Sequence, residues 1–146
     1  MSRSTELFVV ALKAHQWIYQ RTNGLIGHRL LFGNPTLLLH MTGRKSGQPR
    51  TTALTYARDG DAYLVVASNG GSPRPPAWLA NLKAIPDVEI QVGRRRTPVT
   101  ARATYPDDTE YARRWPLVDG VNKGRYTEYQ RKTSRPIAIV ELTPRG

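Results

Sequence analysis

The sequence of 146 residues contains no cysteine. This absence excludes a disulfide framework, Cys-ligated zinc, iron–sulfur clusters and a cysteine nucleophile. Histidine is scarce as well: the chain has only His15, His28 and His40, and no two of them form an HxxxH or HExxH pattern. We therefore expect no metal site built on histidine.

Familiar catalytic motifs and long hydrophobic runs are also missing. There is neither a GxSxG nucleophile elbow nor a Walker A pattern. No window approaches the roughly 18 apolar residues of a membrane-spanning helix. The apolar run 8–12 ends at Lys13 and is too short for a secretory signal. We expect a cytoplasmic protein, with peripheral contact on the inner face of the cell membrane left open.

Acidic residues are few. The 22 Lys and Arg outnumber the 11 Asp and Glu, which gives a formal net charge of +11. Such a balance predicts an anionic partner: nucleic acid, a negatively charged membrane or a polyanionic ligand. With 39% hydrophobic and 23% charged residues, the composition is typical of one globular domain.

The chain divides into an N-terminal amphipathic helical segment, 1–32, and a domain at 33–146. Apolar residues recur at spacings of three and four over 6–32, which predicts a helix. One interpretation is a helix that covers a sheet. The other is an interfacial helix on a membrane, because Trp17 and Tyr19 lie near Lys13 and Arg21.

Beyond Asn34 the pattern changes to short strands separated by Gly- and Pro-rich turns. We predict six strands, at 36–42, 50–57, 62–68, 88–92, 98–104 and 136–142. We predict short helices at 77–83, 106–118 and 122–132, and a turn at 93–96. The first three strands have no helix between them, so they should form an antiparallel meander. The fold class is α+β, a small antiparallel barrel with covering helices.

Residues 43–50, GRKSGQPR, form the first segment that could carry chemistry. A turn concentrates free backbone N–H groups, and this one adds the cations of Arg44, Lys45 and Arg50 and the Ser46 hydroxyl. That combination can hold a phosphate or carboxylates. The alternative is an exposed hairpin tip with ordinary solubilising charges.

The second segment ends a strand at 67–71 and continues to Trp78, Asn81 and Lys83. Glycines at a strand end let a ligand approach the backbone closely. An indole beside an amide and an ammonium suits a flat, polar, anionic ring. The alternative is that Trp78 and its apolar neighbours plug the barrel end, with Asn81 capping a neighbouring segment. His40, inside an apolar strand, is better explained as a satisfied core histidine than as a base.

Segments 43–50, 66–71, 76–86 and 126–137 together resemble the deazaflavin-dependent nitroreductase family, actinobacterial enzymes that use coenzyme F420. The resemblance runs in order from about residue 30 to 142. It implies a split β-barrel that binds the deazaflavin. It also implies hydride transfer from the reduced cofactor to a quinone, a nitroaromatic or an activated alkene.

The resemblance also assigns site residues. The phosphate and glutamate tail of F420 goes to Arg44, Lys45, Ser46 and Arg50. The strand along the cofactor comprises Thr51, Thr52, Ala53, Leu54 and Thr55. The ring and ribityl chain are surrounded by Val66, Ala67, Ser68, Asn69, Ala77, Trp78, Leu79, Ala80, Asn81 and Tyr126. The substrate side is lined by Tyr126, Tyr129 and Lys123, and a proton comes from Ser68, Tyr126 or solvent.

A cofactor of this kind accounts for two features of the composition. Its phosphodiester and carboxylates explain the excess of positive charge without nucleic acid. The hydride chemistry belongs to the cofactor, so an acid/base constellation is not required. Two alternatives are an FMN-binding split barrel and a basic nucleic-acid-binding module built on residues 94–96. The second lacks interleaved surface aromatics and a reading helix. No pattern indicates an oligomeric state.

Overall fold

A computed structural model describes residues 34–145. These residues form one seven-stranded antiparallel sheet with three α-helices and a short 3₁₀ turn at Asn69–Gly71. The strands are β1 (Thr36–Thr42), β2 (Pro49–Thr55), β3 (Ala57–Asp59), β4 (Ala62–Val66), β5 (Asp87–Val92), β6 (Arg95–Thr104) and β7 (Ile139–Pro144). The helices are α1 (Ala77–Ala84), α2 (Tyr111–Val121) and α3 (Arg125–Arg131).

The strand order is β2-β1-β5-β6-β7-β4-β3, and the sheet curls into a half-barrel. The predicted α+β barrel is confirmed, but the number of strands and the meander were wrong. The predicted strand is interrupted at Tyr56: its N–H still donates to the Pro35 carbonyl at 3.1 Å, in register with the β1–β2 pairing, whereas Ala57 pairs with Leu64 of β4. One predicted strand therefore becomes β2 and β3. β3 pairs with β4 and not with β2, so β2 and β3 lie at opposite ends of the strand order.

Several predicted boundaries shift. The turn predicted at 93–96 contains only Gly93 and Arg94, because Arg95 and Arg96 begin β6 and pair with β5. Helix α2 begins at Tyr111 and not near residue 106. The last strand begins at Ile139 and not at residue 136, because Ile137 bonds to helices: its N–H donates to Gln130 Oε1 at 3.0 Å and its carbonyl accepts from the Tyr111 hydroxyl at 2.5 Å.

Side chains alternate across the sheet and build two cores. The inner face holds Leu39, Val65 and Leu142 and is closed by Trp78 and Leu82 of α1. This period-two alternation is the ordinary consequence of the pleat. The helix α1 therefore closes the barrel end next to the turn at 43–48.

The outer face of the sheet is covered by α2 and α3. Leu64, Val66 and Ile139 pack there against helix residues that include Val118 and Tyr126. A third helix-to-sheet attachment is electrostatic rather than apolar, and it involves the buried Arg114 of α2.

Arg114 ties α2 to two strands. Its guanidinium donates to Asp59 Oδ2 at 2.8 Å and to Glu141 Oε2 at 2.7 Å. Arg113 adds a second contact to Asp59 at 2.6 Å. Hydrogen bonds from these two arginines lower the pKa of Asp59 to about 2.

The predicted helix at 6–32, its membrane contact and the boundary at 32/33 fall outside the described residues. Between residues 34 and 145, none of the helices has the length and apolar character needed to cross a bilayer.

Candidate functional site

The turn between β1 and β2 is closed by its own backbone. Gly43 N–H donates to the Gln48 carbonyl and Gly47 N–H to the Gly43 carbonyl, both at 2.9 Å. Gly47 has a φ of +69°, a conformation that side chains rarely adopt. The Ser46 hydroxyl accepts from the Gln48 N–H at 3.2 Å. The turn thus presents Arg44 and Lys45 from a fixed backbone.

Asn81 of α1 fixes this turn from the side. Its Oδ1 accepts from the Arg44 backbone N–H and from Arg44 Nη1, each at 3.1 Å. Asn81 is buried, so its orientation is set by packing. This is the capping role that the sequence offered as the alternative interpretation of Asn81. The second of these bonds holds the Arg44 guanidinium next to α1.

A cavity of about 460 Å³ opens between the turn and α1. Its lining is cationic and apolar, and comprises Met41, Gly43, Arg44, Lys45, Ser46, Arg50, Thr52, Ala77, Trp78 and Asn81. Among residues 34–145, no carboxylate borders it. The side chains of Lys45 and Arg50 form no hydrogen bond or ion pair with any residue of 34–145. The structure thus brings the two sequence-predicted segments together around an unneutralised positive charge.

A second cavity, of about 290 Å³, shares Arg44 and Ala77 with the first. Arg74 and Lys83 extend the positive lining, and Leu79 and Ala80 complete the wall. The predicted residues of α1 therefore border one or both of these adjoining cavities. Trp78 and Leu79 also belong to the inner core, as the plug interpretation required.

Only part of the predicted strand 51–55 faces the cavity. Arg50 and Thr52 border it, as period-two alternation requires. Thr51 points the other way, and its hydroxyl lies 3.0 Å from His40 Nδ1. Ala53, Leu54 and Thr55 do not line either of these two cavities.

His40 itself is satisfied. Its Nε2 lies 3.0 Å from Gln91 Oε1, and Thr51 engages the other ring nitrogen. Partial burial lowers the pKa of His40, which favours the neutral ring at pH 7. The interpretation as a satisfied histidine is thereby confirmed.

Residues 66–69 lie where β4 ends, and they are not part of the lining of the first cavity. Val66 and Ala67 are buried on opposite faces of the sheet. Asn69 has a φ of +45°, and its Nδ2 donates to the Arg74 carbonyl at 2.9 Å. The Ser68 hydroxyl has no hydrogen-bond partner within residues 34–145. This loop leads directly into α1 through the residues that line the second cavity.

Tyr126 and Tyr129 lie on α3 with their rings 6.3 Å apart in an edge-on arrangement. Tyr126 is only 6% exposed, in the outer core. Burial raises the pKa of Tyr126 far above its usual range, so the phenol remains protonated at physiological pH. Lys123 is exposed between α2 and α3, with a φ of +60°. These three residues do not border the cavity that contains Arg44.

Sequence reasoning missed Arg135. The stretch 126–137 supported the resemblance, yet Arg135 was given no role. Its guanidinium bonds to backbone carbonyls of the loop that follows β4, more than 60 residues away in the chain. No local sequence pattern reports such a contact.

Two other features of the described residues do not favour an anionic ligand. Within residues 34–145, no three His, Asp or Glu side chains cluster in a way that could hold a metal ion. A cavity of about 610 Å³ lies on the outer face of the sheet against Tyr111, Trp115 and Pro136, and its lining in the described part of the chain contains no charged residue. The cationic cavity beside Arg44 is therefore the candidate for an anionic ligand.

Comparison with protein families gives a match over residues 11–144, to a family described as F420H(2)-dependent quinone reductase. An F420H(2)-dependent quinone reductase of Mycobacterium tuberculosis is 60% identical over 137 residues, which cover 94% of this chain and 92% of that protein. A second protein of that organism, a putative F420H(2)-dependent quinone reductase, is 40% identical over 76% of this chain and 91% of its own length.

Solved structures give the same picture. An F420-H2 dependent reductase superposes with a TM-score of 0.67 at 37% identity, covering 74% of this chain and 93% of that one. A putative pyridoxamine 5′-phosphate oxidase from Listeria innocua shares the fold alone, with a TM-score of 0.52 at 14% identity, over 76% of this chain and 83% of that one.

Proposed function

Because the chain belongs to the F420H(2)-dependent quinone reductase family, we propose that it uses reduced coenzyme F420 to reduce a quinone. The enzyme is an oxidoreductase, and its cofactor is coenzyme F420. The observation that carries this conclusion in the structure is the acid-free cationic cavity between the turn at 43–48 and α1.

The chemistry of this cavity fits the tail of the cofactor. That tail carries a phosphodiester and carboxylates, which need cationic and N–H donors. Arg44, Lys45 and Arg50 supply cations to the cavity, and Ser46 supplies a hydroxyl. Hydrogen bonds between charged groups are about twice as strong as neutral ones. We assign the tail to these four residues, with Arg74 and Lys83 extending the positive surface.

The remaining assignments concern the ring. When bound, the reduced deazaflavin supplies a hydride to the acceptor. Trp78 and Ala77 form an apolar wall of the cavity, and Asn81 keeps Arg44 in place beside it. We place the ring toward the end of β4, at residues 66–69. The protein's task is to bind, to orient and to exclude water.

Quinone reduction also needs a proton, and two side chains are candidates. Ser68 is partly exposed, and its hydroxyl has no partner within residues 34–145. Tyr126 is protonated at neutral pH but is nearly fully buried. Ser68 is thus the more accessible donor, with solvent as the alternative source. Tyr129 and Lys123 line the substrate side in this proposal.

The acceptor range and the site of action extend the proposal further. Nitroaromatics and activated alkenes are candidate acceptors besides quinones. The amphipathic pattern at 6–32 supports peripheral contact with the inner face of the membrane, which suits a lipid-soluble quinone. Co-sedimentation of the full chain with anionic liposomes tests this contact, and recovery of all protein in the supernatant would contradict it.

An assay with reduced F420 and a quinone such as menadione tests the proposed function. The expected result is oxidation of F420 that depends on both the protein and the quinone. Parallel titrations with F420, FMN and duplex DNA separate the alternatives. Tight binding of FMN without F420 would favour a flavin enzyme, and DNA binding alone would favour a nucleic-acid module.

A further inference from the structure

Arg135 lies in the segment between α3 and β7 and reaches across to the loop that joins β4 to α1. Its Nε donates to the Ser72 carbonyl at 2.9 Å, and its Nη2 to the Ser68 carbonyl at 2.8 Å. A weaker bond runs from Nη1 to the Ala67 carbonyl at 3.3 Å. Nη2 also lies 3.5 Å from the Arg74 carbonyl. One guanidinium thus gathers carbonyls from both ends of a Gly- and Pro-rich loop.

Arg135 is itself held in place. Its N–H donates to the Thr133 hydroxyl at 3.3 Å, and its carbonyl accepts from Gln130 Nε2 at 2.8 Å. Gln130 Oε1 accepts from the Ile137 N–H at 3.0 Å. The side-chain amide of Gln130 on α3 therefore fixes the backbone at both Arg135 and Ile137. No carboxylate of residues 34–145 pairs with the Arg135 guanidinium, and its four contacts all go to backbone carbonyls of 67–74.

The same loop touches α3 at a second point. Gly71 has a φ of +82°, and a Cβ added there would lie 2.6 Å from the Tyr129 carbonyl oxygen. The backbone of the loop therefore rests directly on α3. Arg135 on one side and Gly71 on the other set the distance between α3 and the end of β4. Tyr126 and Tyr129 stand on α3, and Ser68 stands at the end of β4.

From this geometry we propose that Arg135 is a positioning residue for hydride transfer. This inference rests on the function proposed above. By holding the carbonyls of Ala67, Ser68 and Ser72, it keeps the loop that receives the deazaflavin ring in register with α3. It also fixes the path of the loop into α1, whose Trp78 borders the tail-binding cavity. Arg135 lines neither of the two cavities to which we assign the tail.

An arginine is required here because of its shape. The planar guanidinium has five N–H donors and can span several carbonyls at once. A lysine ammonium has three donors on one nitrogen and can satisfy only part of this set. A glutamine side chain is uncharged and shorter, so it cannot donate hydrogen bonds to most of the carbonyls that Arg135 contacts.

The test compares Arg135→Gln and Arg135→Lys with the control Arg131→Gln. Arg131 is 70% exposed, and its side chain pairs only with Glu128 on the same helix within the described residues. Three quantities are measured: amide hydrogen exchange of residues 69–79 without cofactor, kcat and KM with reduced F420 and menadione, and the emission spectrum of bound F420.

We expect Arg135→Gln to lower kcat by about tenfold or more, because small misplacements of reacting groups are costly. The KM for reduced F420 should change by less than about threefold, because Arg44, Lys45 and Arg50 hold the tail. Exchange at 69–79 should accelerate and the emission of bound F420 should shift. Arg135→Lys should recover part of kcat, and Arg131→Gln should match the wild type.

The inference is overturned if Arg135→Gln keeps wild-type kcat and emission while exchange at 69–79 rises, because Arg135 would then act on stability alone. Unchanged exchange overturns it as well. Should the glutamine variant not fold, the lysine variant decides by the same measurements. A wild-type protein that never oxidises reduced F420 rejects the proposed function instead, and the exchange measurement still tests the hold of Arg135 on the loop.

Discussion

The Oδ1 atom of Asn81 accepts two hydrogen bonds from Arg44, one from its backbone N–H and one from Nη1, each at 3.1 Å. A helix side chain thereby fixes both the backbone of the turn and the direction of its first cation. The pair couples two segments 37 residues apart in the chain. We regard this pair as the element that converts a basic hairpin tip into the candidate binding site.

Substitutions at Asn81 can separate geometry from charge. Asn81→Asp keeps an acceptor for both Arg44 donors but places a negative charge in the cavity. We expect the free energy of unfolding to be preserved and F420 affinity to fall by about tenfold or more. Asn81→Ala removes the acceptor, and the turn should lose order as well as affinity. Fluorescence titration with F420 and urea unfolding measure the two effects, and unchanged affinity in Asn81→Asp would contradict this assignment.

The cations that border the cavity should contribute individually to affinity. Lys45→Ala and Arg50→Ala should each weaken F420 binding by about tenfold, since a hydrogen bond to a charged group contributes about 1.5–3 kcal/mol. The loss should shrink at high salt. Arg94→Ala is the matched control, because register places Arg94 beside the start of β1, at the opposite end from the turn. An equal loss in Arg94→Ala would indicate a non-specific charge effect.

Gly71 is expected to be intolerant of substitution. Gly71→Ala combines a left-handed φ with a contact of 2.6 Å between the new Cβ and the Tyr129 carbonyl oxygen. We expect about 3 kcal/mol or more of lost stability in urea unfolding. Gly60→Ala provides the control: its φ is +60°, but nothing lies within 4 Å of the new Cβ. That variant should lose only about 1 kcal/mol, and equal losses would show that the contact with α3 is unimportant.

Stability should depend on pH through Asp59. Its pKa is lowered from 3.8 to about 2 by hydrogen bonds from Arg113 and Arg114. A carboxyl with a lowered pKa stabilises the fold above its ordinary pKa, and this contribution is lost as the pH falls through the folded value. The difference in unfolding free energy between wild type and Asp59→Asn should therefore be largest above pH 3.8 and decrease as the pH falls toward 2.

Asp59→Asn also removes a carboxylate partner from the buried Arg114, which retains Glu141. Removing one partner of a buried ion pair is strongly destabilising at neutral pH. The exposed Asp61 serves as control, and Asp61→Asn should leave the free energy of unfolding at pH 7 close to that of the wild type. A constant difference between pH 7 and pH 2 for Asp59→Asn would contradict the role of this carboxylate.

Local patterns were enough to predict most of the sheet but not its order. Alternation and turn residues predicted strands near β1, β4, β5 and β6. The pattern was continuous across Tyr56, however, and the break is seen only in the pairing, which changes from β1 at Thr55 to β4 at Ala57. Strand pairing is decided by packing across the whole barrel. The pairing of β3 with β4 follows adjacency in the chain, but the pairing of β4 with β7 and of β1 with β5 could not be predicted from it.

The candidate site was predictable to a similar degree. Residue chemistry identified Arg44, Lys45 and Arg50, because cations and glycines are local signals. The sequence did not show which residues of the strand 51–55 face the cavity, because alternation turns Thr51 toward His40. Arg135 could not be predicted, because its partners are backbone carbonyls of a distant loop, and these have no sequence signature.

The central claim is that the acid-free cavity beside Arg44 binds the anionic tail of F420. Calorimetric titration of the full chain with F420, and with the same deazaflavin lacking phosphate and glutamates, tests it most directly. We predict that the tail-free form binds at least about a hundredfold more weakly than F420. Lys45→Ala should reduce this difference in affinity between the two ligands. Equal affinity of the two ligands, or no binding of intact F420, would contradict the account.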